Sequence, residues 1–150
     1  MATFKFRLAT LLRLRESARD ERRTQLAQAF RADELLEDKN RILEEHLADM
    51  RRRTRQAASP GEIDVDRLLE ARRFETVLLA QKEHVRNQQE MVRIEIERRR
   101  QALVAANREV RILENLRARQ YGRHQAEENR QETKQLDEAA QLRALREDRP

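Results

Sequence analysis

Cysteine and tryptophan do not occur among the 150 residues, and glycine and proline appear only twice each. Without cysteine there are no disulfides and no thiolate metal sites, and nothing calls for an oxidising compartment. So little glycine and proline excludes a fold of strands and tight turns, and it equally argues against an ordinary disordered chain. Aromatics amount to four Phe and one Tyr. That is too little large apolar surface for a compact core of this length to offset the entropy of ordering. The N-terminus lacks the apolar run of a signal peptide, and no stretch approaches the roughly 20 apolar residues that span a bilayer. The expectation is a soluble, cytoplasmic protein with no transmembrane segment.

What the chain has in abundance is charge and helix propensity. Charged residues make up 41% and hydrophobic residues 38%, and Arg, Glu, Gln, Leu and Ala, all good helix formers, dominate. High charge on strong helix formers means long helices that bury only a narrow seam. The net charge of +5 comes from 33 basic and 28 acidic residues, and the signs alternate as on a solvated helix with i, i+4 pairs. Arg51-Arg52-Arg53, Arg72-Arg73 and Arg98-Arg99-Arg100 break that pattern. They read first as solvated faces or contacts to acidic partners. A basic coiled coil that binds nucleic acid is the competing reading, but it requires a one-sided Arg stripe that the interleaved signs do not supply.

One strong break interrupts the pattern, at Ser59-Pro60-Gly61. The residue before a proline disfavours helix, and glycine ends helices readily. Ser59-Pro60-Gly61-Glu62 has the form of a capping box, although Asp64 or Asp66 can serve as the start of the second helix instead. Before the break the apolar seam reads Leu8, Leu12, Leu26, Ala29, Leu36, Leu43, Leu47 and Met50. After it the seam reads Leu68, Leu78, Val85, Val92, Ile96, Leu103, Ala106, Val110 and Leu113. Spacings of three, four and seven are those of a coiled coil, and one short turn makes the helices antiparallel.

The fold expected is therefore all-α: a single long two-helix antiparallel coiled-coil hairpin over 1–150. Helix 1 runs over about 5–57, the turn over about 58–64, and helix 2 is paired over about 64–118. The paired arm is a rod of about 80 Å at 1.5 Å per residue. Folding about residue 61 sets Leu26 near Ile96, Leu36 near Val85 and Leu12 near Val110. It also sets Asp33 near Gln89, Asn40 near Lys82, and Leu43 near Leu78. Residues of about 119–147 overhang as a polar helix that frays when free. Gly122 falls mid-pattern and loosens the second helix without ending it.

No catalytic constellation is present. His46, His84 and His124 are far apart on helix surfaces, and there is no Gly-rich phosphate loop, His-Glu-x-x-His or nucleophile elbow. A two-helix rod has no concave pocket to desolvate its carboxylates. The expectation is a non-enzymatic protein with no cofactor and no metal.

The residues resemble a known family. Phe4-Lys5-Phe6-Arg7-Leu8, then Leu11-Leu12-Arg13-Leu14-Arg15-Glu16, then Leu26-Ala27-Gln28-Ala29 are similar to the F-x-F-x-L…LL-x-LRE…LA-x-A opening of the FliJ family. That family supplies a small coiled-coil protein to the bacterial flagellar type III export apparatus. The second arm adds Arg73-Phe74, Leu78, Gln81, Val85, Arg100-Gln101-Ala102-Leu103, Leu113-Glu114, Leu116 and Arg119-Gln120. Glu132-Thr133-Lys134-Gln135-Leu136-Asp137-Glu138-Ala139 resembles the family's E-x-K-x-LDE-x-A. The ordered set spans nearly the whole chain, although each piece alone is common coiled-coil text.

The resemblance implies a stalk like that of rotary ATPases, which inserts through its termini into the export ATPase hexamer and activates it. It also implies contact with the cytoplasmic domain of the export gate membrane protein, and escort of export chaperones in support of motility. The location implied is cytoplasmic, peripheral to the inner membrane at the flagellar base. The equivalent stalk of a virulence-type secretion system shares this architecture, but the F-x-F-x-L start and LDE tail favour the flagellar system.

By the same resemblance, the gate contact falls on Phe74, Leu78, Gln81 and Val85, at i, i+4, i+7 and i+11 along one helix face. Leu78 and Val85 also fit the seam, so dock and seam both stand for them. Phe74 is the best interface candidate, because aromatics sit poorly in a narrow seam and anchor interfaces well. The ATPase ring contact falls on Phe4, Phe6, Leu11 and Leu14, which exceed what the first turns need for pairing, a frayed N-terminus with a few exposed apolar side chains being the alternative, and on Leu136, Ala140 and Leu142. For the last three, self-association remains the alternative.

Overall fold

The computed structural model describes residues 3–61 and 63–147. It is all-α, a helical hairpin with no strand among the described residues. Helix α1 spans Ala9–Ala57, 49 residues, and α2 spans Val65–Glu147, 83 residues. No helix among the described residues is long and apolar enough to cross a membrane.

The first helix begins at Ala9 rather than near residue 5. Residues 3–6 are not helical, and the amide of Ala9 donates to the Phe6 carbonyl at 3.2 Å. The alternation of Phe4 and Phe6 explains the delay. In a helix, side chains two apart point about 200° from one another, whereas in an extended segment they share a side. Outside the helix, both rings reach α2: Phe6 packs on the cluster of Leu12, Val110 and Leu113, and Phe4 on Tyr121.

The first helix ends at Ala57, with the Ser59 amide donating to the Gln56 carbonyl at 3.2 Å. Gly61 then adopts φ +141°, a conformation that L side chains rarely take. That backbone is incompatible with a first helical turn, so the capping box at Ser59 does not start α2; Glu62 lies outside the described residues. Asp64 starts it. Its Oδ1 accepts the Arg67 amide at 3.3 Å, and its carbonyl accepts the Leu68 amide at 3.1 Å, which is the N-cap arrangement.

The chain divides into two units. The first, Glu21–Val104, contains the turn. Its core is Leu43, Leu47, Leu78 and Val85, with Leu36 and Met50 packed against them, while Ala29, Ala71 and Ile96 are also buried. Ion pairs bridge its helices at Arg51–Glu75 (3.4 Å) and Lys82–Glu44 (3.1 Å), and Arg99 donates to the Gln25 carbonyl at 2.5 Å. These pairs climb one helix as they descend the other, which is antiparallel packing. Asn40, Lys82 and Gln89 line one shallow cleft, and Asp33 Oδ1 is buried without a hydrogen-bond partner. A polar seam position of this kind weakens the pair locally.

The second unit joins residues 3–20 to 105–147. Its core is Leu12, Val110 and Leu113 with Phe6, and Arg15 bridges to Glu109 at 2.8 Å. Phe4 meets Tyr121 edge-on at 5.4 Å and His124 at 5.7 Å. Pairing thus extends beyond residue 118, to Tyr121 and His124. From 129 to 147 every residue is exposed. Gly122 lies within continuous helix.

Candidate partner-docking surfaces

A helical residue one step from a seam position lies about 100° around the axis, on the flank of the pair. Leu78 faces α1 and is 3% exposed. Val77, just before it, and Ile42, just before the buried Leu43, therefore emerge on a flank, at 51% and 48% exposure. They line one groove with Lys39, His46, Ala80, Gln81 and His84, whose floor is formed by Leu43 and Val85. Phe74, half exposed, lies one turn toward the hairpin turn and lines a neighbouring depression with Met50, Arg53, Ala57, Arg67 and Glu70.

The four stripe residues divide accordingly. Leu78 and Val85 are in the core of the turn-containing unit, so for them packing is the observed role. Phe74 and Gln81 are exposed on the flank. Sequence reasoning missed Ile42 and Val77, and it set His46 and His84 far apart where the structure brings them into one groove. The signal was available, since an apolar residue directly preceding a seam residue has no place in the seam and must emerge beside it.

In the other unit, Phe4 and Phe6 are half-buried by contacts within the chain, while Leu14 is largely exposed and Leu11 borders on exposed. Phe4, Phe6, Ala9, Leu12, Arg13, Glu16 and Arg117 line a small cleft there. Tyr121, the ring that receives Phe4, was not expected from the sequence. On the terminal stretch of α2, Leu136 and Leu142 are exposed at 71% and 63%, and Ala140 is exposed as well.

The electrostatics are those of a solvated helix surface. Asp49 is held below the usual carboxylate range by a hydrogen bond from Arg52, with the nearby charge of Arg53 adding to it. Glu95 is lowered by the hydrogen bond from Arg99 at 2.8 Å. No group of three or more His, Asp or Glu able to hold a metal ion occurs among the described residues. What the arrangement offers is exposed apolar side chains framed by charge, on a helix pair that does not use them for its own packing.

The profile of the family described as Flagellar FliJ protein matches residues 4–149. The chain belongs to the FliJ family. FliJ proteins are components of the flagellar export apparatus, and theirs is a non-catalytic family of structural and escort proteins. No curated protein and no solved structure gives a significant match. The family match covers both units, including the opening Phe4-x-Phe6-x-Leu8 and the exposed terminal stretch of this FliJ chain.

Proposed function

We propose that this FliJ-family chain is the stalk and activator of the flagellar export ATPase ring, that it touches the cytoplasmic domain of the export gate, and that it escorts export chaperones. The observation that carries the reading is the free helix over 129–147, where no side chain is buried. An isolated polar helix of that length is marginal in water, so its retention with exposed Leu136 and Leu142 fits a segment that completes its packing inside a partner. A ring of subunits around a central helix supplies such packing.

The ring contact takes Leu136, Ala140 and Leu142 from this end of the chain, and Leu11 and Leu14 from the other. Phe4 and Phe6 position the N-terminal segment beside α2. The gate contact is made by Phe74 and Gln81, which Leu78 and Val85 hold in place from the core beneath. The protein then works at the cytoplasmic face of the inner membrane, at the flagellar base.

Truncation after Gln135, assayed with purified export ATPase, tests this reading. Stimulation of ATP hydrolysis should fall to the basal rate, with helix content per residue unchanged. Full stimulation by the truncated chain would remove the terminal stretch from the ring contact.

A further inference from the structure

The groove beside the seam differs from the other clefts described above, whose walls carry Glu83 and Glu90, Glu70, or Glu16. Acidic residues make up 28 of the 150, yet none is among the residues lining it: Lys39, Ile42, Leu43, His46, Val77, Ala80, Gln81, His84 and Val85. We propose that this groove receives an amphipathic segment of a partner protein that carries carboxylates beside its apolar side chains, and that its grip tightens as His46 and His84 take up protons. The proposal rests on the reading that this flank docks a partner, and it adds the partner's chemistry and the regulation.

The apolar half of the match is set by Ile42 and Val77, half exposed on facing helices over a floor of Leu43 and Val85. Side chains of this kind take the i, i+3, i+4 face of a helix laid along them. The polar half is set by what borders them. Lys39 supplies one basic side chain, and the two imidazoles, one from each helix, are exposed. Imidazole is the side chain whose charge changes between pH 5 and 8, and protons on both rings would give the groove three cations with no carboxylate on its walls.

The charged groups nearby leave that balance in place. Asp49 is close enough to His46 to feel its charge, but it is already engaged by Arg52 and Arg53. Glu44 is paired with Lys82, and Glu83 and Glu90 line the cleft on the other flank. A partner carboxylate therefore meets cations that no carboxylate of the groove neutralises, while a partner lysine is repelled increasingly as the pH falls.

Two fluorescein-labelled 18-residue synthetic helical peptides with one common leucine face test this, one with glutamates and the other with lysines at the polar positions. Both are titrated with the full chain at pH 7.5 and 5.5, where glutamate stays ionised. The glutamate peptide should bind, and its affinity should rise about three- to tenfold on acidification, the effect of two weak surface pairs. The lysine peptide should bind less well, and worse at pH 5.5. In His46→Gln/His84→Gln the binding at pH 7.5 should persist and the rise should vanish. Val77→Asp, at an exposed position with helicity confirmed by circular dichroism, should weaken the glutamate peptide at both pH values.

Equal binding of the two peptides, or a rise that survives the double glutamine variant, would overturn the proposal. If the gate's cytoplasmic domain binds in a Phe74-dependent way while the glutamate peptide is ignored, docking stands and this inference falls. If the peptide behaves as stated while the gate domain does not bind, this inference stands and the identity of the partner falls.

Discussion

Replacing Leu78 by Ala removes a side chain that is 3% exposed and packs with Leu43, Leu47 and Val85. Buried leucines lost to alanine destabilise by about 2–5 kcal/mol, depending on how far the surroundings collapse. A helix pair has no second layer to hold a cavity open, so the lower part of that range applies, about 2–3 kcal/mol. At about 2–4 °C per kcal/mol for a chain of this size, the melting point of the chain should fall by roughly 5–10 °C. Phe74 gives the contrast, being 50% exposed. Phe74→Ala loses only the buried half of its ring and regains helix propensity, a net effect of about 1 kcal/mol or less. Thermal melts at 222 nm on both variants measure the difference. Equal melting points, or a larger drop for Phe74→Ala, would refute the division of this helix face into core and flank.

Asp64→Ala should cost about 1 kcal/mol by leaving the Arg67 amide uncapped, while Ser59→Ala should change little; chemical denaturation compares them. Gly122→Ala should stabilise by up to about 1 kcal/mol, because the glycine is helical and a Cβ there meets nothing within 4 Å; a higher melting point checks it. Asp49 and Glu95 have carboxyls lowered on folding. The stability they contribute is therefore present above the unfolded carboxylate range and lost as the pH falls through their folded values. Asp49→Asn/Glu95→Gln should accordingly lose less stability than wild type on acidification below about pH 4, read as melting point against pH.

Much of the architecture was written in the periodicity. Leu12, Ala29, Leu43, Leu47, Leu78, Val85, Ile96, Val110 and Leu113, all placed in the seam from spacing, are buried. Heptad spacing is a direct image of which side chains meet, so the seam is the most legible feature of such a chain. Leu8, placed there too, is partly exposed, because it precedes the first helical residue, Ala9, and Phe4 and Phe6 take the place against α2. Their segment was not legible, since the contacts of Phe4 with Tyr121 and of Phe6 with Val110 and Leu113 are tertiary and leave no mark in local spacing. The proposed docking face was legible only in part. Spacing along α2 alone puts Phe74, Leu78, Gln81 and Val85 on one face, but where the partner helix cuts across that face depends on both helices together. That cut sends Leu78 and Val85 inward and brings Ile42 and Val77 out.

Binding of the export gate's cytoplasmic domain to Phe74→Ala, beside wild type and with matched helicity, tests most directly the claim that this hairpin holds partners on side chains it does not need for folding. Anchor residues at interfaces contribute about 2 kcal/mol or more, so the affinity should fall at least about tenfold while the melting point moves by only a few degrees. Undiminished gate binding by a well-folded Phe74→Ala chain would contradict it.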